Sequence, residues 1–169
     1  MKIYLLGYMG SGKSTVGKKL SERSKLDFID FDTYIEKGSG KTIAEIFELE
    51  GEEKFRQLEH DYLKKILDIK HAVISLGGGT PCFNNNIDLI NENGTSIYIE
   101  TNVESLVARL LKAKRKRPLI KGMNEVDLKF FIEANLEKRN PVYRQAHHTI
   151  KVEKHSIDEV VDQIIKLIS

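Results

Sequence analysis

Residues 7–14 read Gly-Tyr-Met-Gly-Ser-Gly-Lys-Ser and follow a short apolar run, Lys2–Leu6. The segment matches the phosphate-loop pattern G-x-x-x-x-G-K-[ST], whose residue types each have a physical reason. Glycines let the backbone curl until its N–H groups surround phosphate oxygens. The helix that follows adds the positive end of its dipole. Gly10, Ser11, Gly12, Lys13, Ser14 and Thr15 are therefore expected to hold a nucleotide. Lys13 would reach the β- and γ-phosphates and Ser14 would hold Mg²⁺. Such a loop needs a strand before it and a helix after it, which commits the chain to an α/β fold.

The rest of the chain agrees with that commitment. Short apolar runs alternate with helical patterns, as in βα units around a parallel sheet. The predicted strands are Lys2–Leu6, Asp27–Ile29, Ala72–Ser75, Ser96–Ile99 and Thr149–Val152. Thr42 with Glu45, and Ser156 with Glu159, fit the capping box at helix starts. Asn102 and Asn124 are predicted N-caps. Asn140-Pro141 is predicted to end the helix near 125–139, because a residue before proline avoids the α region. The expected architecture is a three-layer α/β/α fold. In such open sheets ligands bind beyond the carboxyl ends of the strands.

Composition sets the outer limits. A chain of 169 residues suits one domain, 1–169, and needs no disulfide to bury a core. Its single cysteine, Cys82, fits a reducing compartment, with cytoplasm as the default. No run approaches the ~18 apolar residues of a membrane span. The N-terminus reads as a first strand and not as a signal peptide. A net charge of +2 is too small to imply nucleic acid.

Several groups beyond the loop are candidates for chemistry. Asp30 and Asp32 end the second strand, and i, i+2 residues of an extended segment point the same way. One carboxylate would hold Mg²⁺ through water and the other would accept a hydrogen bond from a substrate hydroxyl. The alternative is an acidic loop in which Asp32 caps the next helix. Ser75 stands where many phosphate-loop enzymes carry a metal-binding acid. Glu100 ends another strand but reads better as a loop residue. Gly77-Gly78-Gly79 removes side chains where backbone must meet a ligand closely, the alternative being a flexible turn. Arg56 and Glu59 lie three apart on one helix face. They are either a solvated pair or an arginine oriented toward a carboxylate. Arg139 is either a second such arginine or a complement to its helix dipole. The basic run Lys112–Arg117 reads as a nucleic-acid patch or as a lid whose arginine closes on the transferring phosphate, and the phosphate loop favours the lid. His147-His148 shows no metal-ligand spacing and reads as structure. Phe47 and Phe55 read first as core, with pocket lining as the second possibility.

Taken in order, GYMGSGKS, FIDFD, FRQLE, LGGGT, KRKRPLI and EKRNPVYRQA resemble the shikimate kinase family from end to end. The resemblance implies a P-loop kinase fold with a five-stranded parallel sheet, a lid near 112–124 and a substrate-binding helical region near 31–61. It implies transfer of the γ-phosphate of ATP to the 3-hydroxyl of shikimate, on the route to chorismate and the aromatic amino acids. It assigns Mg²⁺ to Ser14 and Asp30, and the shikimate hydroxyls to Asp32. It assigns a carboxylate clamp to Arg56 and Arg139, with amides from Gly78 and Gly79. Arg117 resembles the lid arginine and Arg109 the one that packs on adenine. Lys13, Asp32 and Arg117 are thus the expected catalytic residues, and a monomer is the default for the architecture. The lid reads RPLI where RPLL is common, which exchanges one aliphatic residue for another. Two alternatives stand beside it: a kinase for another small metabolite or nucleotide, and a nucleic-acid-binding NTPase.

Overall fold

The computed structural model describes residues 1–113 and 118–169. The described residues form five strands, β1 (Lys2–Leu6), β2 (Asp27–Asp30), β3 (Ala72–Ser75), β4 (Thr95–Glu100) and β5 (His148–Lys151). All pair in parallel, in the order β2-β3-β1-β4-β5. The α-helices among them are α1 (Lys13–Ser24), α2 (Phe31–Ser39), α3 (Ile43–Lys65), α4 (Asn86–Asn93), α5 (Val103–Lys112), α6 (Glu125–Tyr143) and α7 (Ile157–Ile168). The fold is the expected α/β class.

Strand β1 is buried at all five positions, as a central parallel strand covered on both faces must be. Its side chains alternate between two cores. Ile3 and Leu5 join Val16 and Leu20 of α1 and Val160, Val161 and Ile164 of α7. Tyr4 and Leu6 face the opposite layer, with Ile35, Leu63, Leu106 and Ile132 from α2, α3, α5 and α6. The chain leaves β1 toward β2 and β3 on one side and continues to β4 and β5 on the other. The carboxyl end of β1 is therefore the switch point at which a crevice opens.

The predicted caps form. Thr42 and Ser156 each make a complete capping box, and Asn102 and Asn124 each accept from the backbone N–H three residues on. The predicted helix stop at Asn140-Pro141 does not hold, because α6 runs through Pro141 to Tyr143. Tertiary contacts override the local preference here. Tyr143 is fully buried and lies 5.0 Å from Tyr98, ring to ring, and the Tyr98 hydroxyl donates to Asn140 Oδ1 at 2.9 Å. Strand β5 begins one residue earlier than predicted, at His148. His147 is structural, as its Nδ1 accepts from the Ser96 backbone N–H.

Candidate active site

After β1 the backbone curls through Gly7–Gly12. Gly10 and Gly12 have φ of +80° and +91°, the left-handed region that a side chain makes costly. Lys13 is buried, and its Nζ donates to the carbonyls of Gly7 at 2.8 Å and Tyr8 at 3.0 Å. The ammonium therefore lies folded across the loop. Helix α1 begins at Lys13 with no side-chain cap, whereas α2, α3, α5, α6 and α7 each have one. No side-chain cap closes its first turn, so the helix N-terminus is open to an acceptor from outside the chain. The Ser11 hydroxyl is buried without a hydrogen-bond partner among the described residues. Uncapped helix amides, a buried ammonium and an orphan hydroxyl are the donors that a phosphate chain requires.

Beside the loop, the Ser14 hydroxyl donates to Asp30 Oδ2 at 3.1 Å and lies 3.3 Å from the Ser75 hydroxyl. These are hard oxygen donors with a single carboxylate. Such a set fits Mg²⁺, which keeps several waters and takes further oxygens from substrate phosphates. Asp30 has a second use. Its Oδ1 accepts from Thr33 N at 3.1 Å and caps α2. The expected extended geometry of Asp30 and Asp32 is therefore corrected: Asp32 already lies in the first turn of α2, and Asp30, not Asp32, is the cap. The turn of helix separates the two carboxylates and turns Asp32 toward Gly77. Glu100 ends β4 instead of lying in a loop, and its carboxylate sits 3.6 Å from the Arg144 guanidinium.

The glycine run after β3 is where the remaining candidates meet. A Cβ on Gly77 would stand 2.8 Å from Asp32 Oδ1. One on Gly78 would stand 3.4 Å from both Arg139 Nη1 and Met9 N, and 3.6 Å from the Gly7 carbonyl. One on Gly79 would stand 2.5 Å from Arg56 Nη1. Three successive glycines thus face Asp32, Arg139 with the phosphate loop, and Arg56. The flexible-turn alternative gives way to a packed junction.

Arg56 is held from several sides. Its Nη1 donates to Glu59 Oε1 at 2.9 Å, and its guanidinium carbon lies 4.1 Å from the Phe83 ring centre. The arginine side chain is 12% exposed and that of Glu59 1%, so this is no solvated pair. Arg56 Nε is buried without a hydrogen-bond partner among the described residues. Arg139 sits over the Tyr8 ring at 5.5 Å. The Tyr143 hydroxyl donates to the Gly78 carbonyl, which anchors the run to α6. Cys82 is nearby. Burial pushes its thiol up to about 11 despite the pull of Arg139 and Arg56, so it remains a thiol at neutral pH and a poor nucleophile.

On the other side of the loop, Arg109 Nη1 donates to the Gly10 carbonyl at 3.3 Å. Arg109, Gly10, Gly12 and Thr15 line a cleft of about 320 Å³ with His155 and Ile157. Sequence reasoning missed the segment after β5 that supplies His155 and Ile157. Its place beyond the carboxyl end of a strand was the available signal. Of the expected lid, residues 114–117 lie outside the described residues, Arg117 among them.

A parallel sheet with this strand order, a phosphate loop at its switch point and two arginines at the adjoining glycine run define a P-loop phosphotransferase. The family profile described as shikimate kinase matches residues 9–169. A shikimate kinase from Parabacteroides distasonis is 42% identical over 163 residues, covering 96% of this chain and 94% of the relative. One from Flavobacterium johnsoniae is 42% identical over 170 residues, covering 99% of each. Among solved structures, the shikimate kinase of Bacteroides thetaiotaomicron superposes with a TM-score of 0.95 at 37% identity, covering 99% of this chain and 98% of that one. The Acinetobacter baumannii shikimate kinase in complex with shikimate gives 0.90 at 36% identity, covering 99% and 92%. The chain belongs to the shikimate kinase family.

Proposed function

We propose that this chain transfers the γ-phosphate of ATP to the 3-hydroxyl of shikimate, giving shikimate 3-phosphate and ADP. The observation that carries the reading is the junction at Gly78, where the phosphate loop and Arg139 approach the same residue. A phosphate donor bound on the loop and a carboxylate bound between Arg56 and Arg139 would then adjoin, with Asp32 beside them. Shikimate offers that combination, a carboxylate on a ring that carries hydroxyls.

In this reading each site residue has a role. The loop amides and Lys13 bind the phosphates. Ser14 and Asp30 hold Mg²⁺, which supplies charge neutralisation on the phosphate oxygens when bound. Arg56 and Arg139 fix the acceptor by its carboxylate, with backbone amides of Gly78 and Gly79 in support. Asp32 accepts a hydrogen bond from the attacking hydroxyl and takes its proton late. Phosphoryl transfer passes through a loose transition state, so in-line positioning and charge neutralisation account for most of the rate. The cleft between Arg109 and Ile157 is the proposed place of the adenine, with Arg109 against it. Arg117 is proposed to neutralise charge from the lid.

A coupled assay of ADP release tests the reading. Release from ATP and Mg²⁺ is expected to depend strongly on added shikimate and to stop when EDTA removes the metal. Hydrolysis indifferent to shikimate would reject the acceptor. The clamp has its own test. Arg56→Lys is expected to raise KM for shikimate about tenfold, because a point charge cannot replace a two-pronged donor. The lysine can still pair with Glu59, so the fold should survive. An unchanged KM for shikimate would remove Arg56 from the clamp.

A further inference from the structure

Behind Arg56 runs a line of buried polar contacts that the transfer itself does not use. Glu59 Oε1 accepts from Arg56 Nη1 at 2.9 Å and Oε2 accepts from the Thr80 hydroxyl at 2.6 Å. The Thr80 carbonyl accepts from Asn86 Nδ2 at 2.8 Å. Asn86 Oδ1 lies 2.6 Å from His60 Nδ1. Because the Asn86 amide group is spent on Thr80, its oxygen must accept, and His60 Nδ1 is the donor. Thr80 and Asn86 have no exposed surface, and Glu59 is 1% exposed.

The physical need for this line comes from Glu59. Burial pushes its carboxyl up, while Arg56 and the Thr80 hydroxyl pull it down. A carboxylate at that depth is costly unless each oxygen is hydrogen-bonded. Thr80 satisfies the oxygen that Arg56 does not. The same residue ties the glycine run to α3, since its N–H closes a turn on the Gly77 carbonyl at 3.1 Å. The contact therefore sets two things at once: where the Glu59 carboxylate sits, and where Gly79 sits against the guanidinium.

We infer that Thr80, backed by Asn86 and His60, is a positioning residue for acceptor binding: its hydroxyl fixes the Glu59 carboxylate, which aims Arg56. The inference rests on reading Arg56 as part of the clamp. Thr80→Val keeps the shape and deletes the donor. Thr80→Ser keeps the donor and deletes a methyl.

Steady-state KM values for shikimate and for ATP, measured on the wild type, Thr80→Val, Thr80→Ser and Arg56→Lys, decide the matter. Thr80→Val is expected to raise KM for shikimate about tenfold and leave KM for ATP within about twofold. Thr80→Ser is expected to stay within about twofold of wild type for both. KM does not depend on the fraction of enzyme that folds, so partial misfolding cannot imitate this split. If Thr80→Val yields no soluble enzyme, His60→Phe at the partly buried end of the line is read the same way, with a rise of about threefold expected. An unchanged KM for shikimate in Thr80→Val, beside a raised one in Arg56→Lys, overturns the positioning role and spares the clamp. A Thr80→Ser enzyme as poor as Thr80→Val, or a parallel rise in both KM values, makes Thr80 merely structural and also overturns it. An unchanged Arg56→Lys enzyme removes the clamp and this inference together.

Discussion

Asp32→Asn is expected to lower turnover by about 10²–10³ and to leave KM for ATP within about twofold. The substitution keeps the shape of the side chain and removes its charge. It sits in the first turn of α2, whose cap is Asp30, so the cap survives. The helix loses only a favourable charge near its N-terminus, on the order of 0.3–1 kcal/mol. A small shift in melting temperature is therefore expected alongside a large loss in rate. That separation matters, because a variant that merely unfolds would lose both. The loss comes from the acceptor side. The Asp32 carboxylate faces Gly77, within a residue of the Gly78 junction with the phosphate loop, and in the proposed mechanism it orients the attacking hydroxyl. An amide can orient a hydroxyl weakly but cannot receive its proton. Wild-type turnover in this variant would remove the role. A rise in KM for ATP equal to the fall in turnover would move Asp32 to the nucleotide side.

What could be read before the fold was known divides along a physical line. Features fixed within a few residues were legible. The phosphate loop needs glycines at Gly10 and Gly12 because of their positive φ, and that need shows in sequence. The capping boxes at Thr42 and Ser156 close over three residues, so their pattern is local too. Features that depend on distant chain were misread or missed. Asp30 and Asp32 were expected to share one face of an extended segment, but α2 starts between them. Pro141 was expected to stop α6, but the buried Tyr143 ring holds the last turn in place. The line from Arg56 through Glu59, Thr80 and Asn86 joins α3 to the loop after β3 and the start of α4. No spacing rule reveals such a path, because burial and not sequence interval makes it costly to break. The triple glycine lies between these cases. Its need for close approach was readable, but the identity of what approaches was not.

That identity makes Gly79 the sharpest test of the site, and Gly79→Ala is expected to lower kcat/KM for shikimate about 10²-fold. The reason is space and not backbone freedom. Gly79 has φ of −90° and ψ of −13°, which any residue adopts. Its Cβ, however, would stand 2.5 Å from Arg56 Nη1 and 2.6 Å from Nη2. Real contacts of that kind do not occur, so something must move. The backbone is tied on both sides, by Thr80 N to the Gly77 carbonyl and Cys82 N to the Gly79 carbonyl. The guanidinium is the softer element, at the end of a long side chain, although Glu59 and Phe83 hold it. It should swing away, at modest cost to stability and large cost to carboxylate binding. A displacement of about 1 Å from a productive pose can cost on the order of 10²-fold in rate. The expected signature is a folded enzyme with normal KM for ATP and a much higher KM for shikimate, resembling an exaggerated Arg56→Lys. In the double variant, Gly79→Ala should add little to Arg56→Lys, since both act on one guanidinium. Full additivity would mean that the methyl group obstructs shikimate itself, and the glycine would then serve the ligand instead of the arginine.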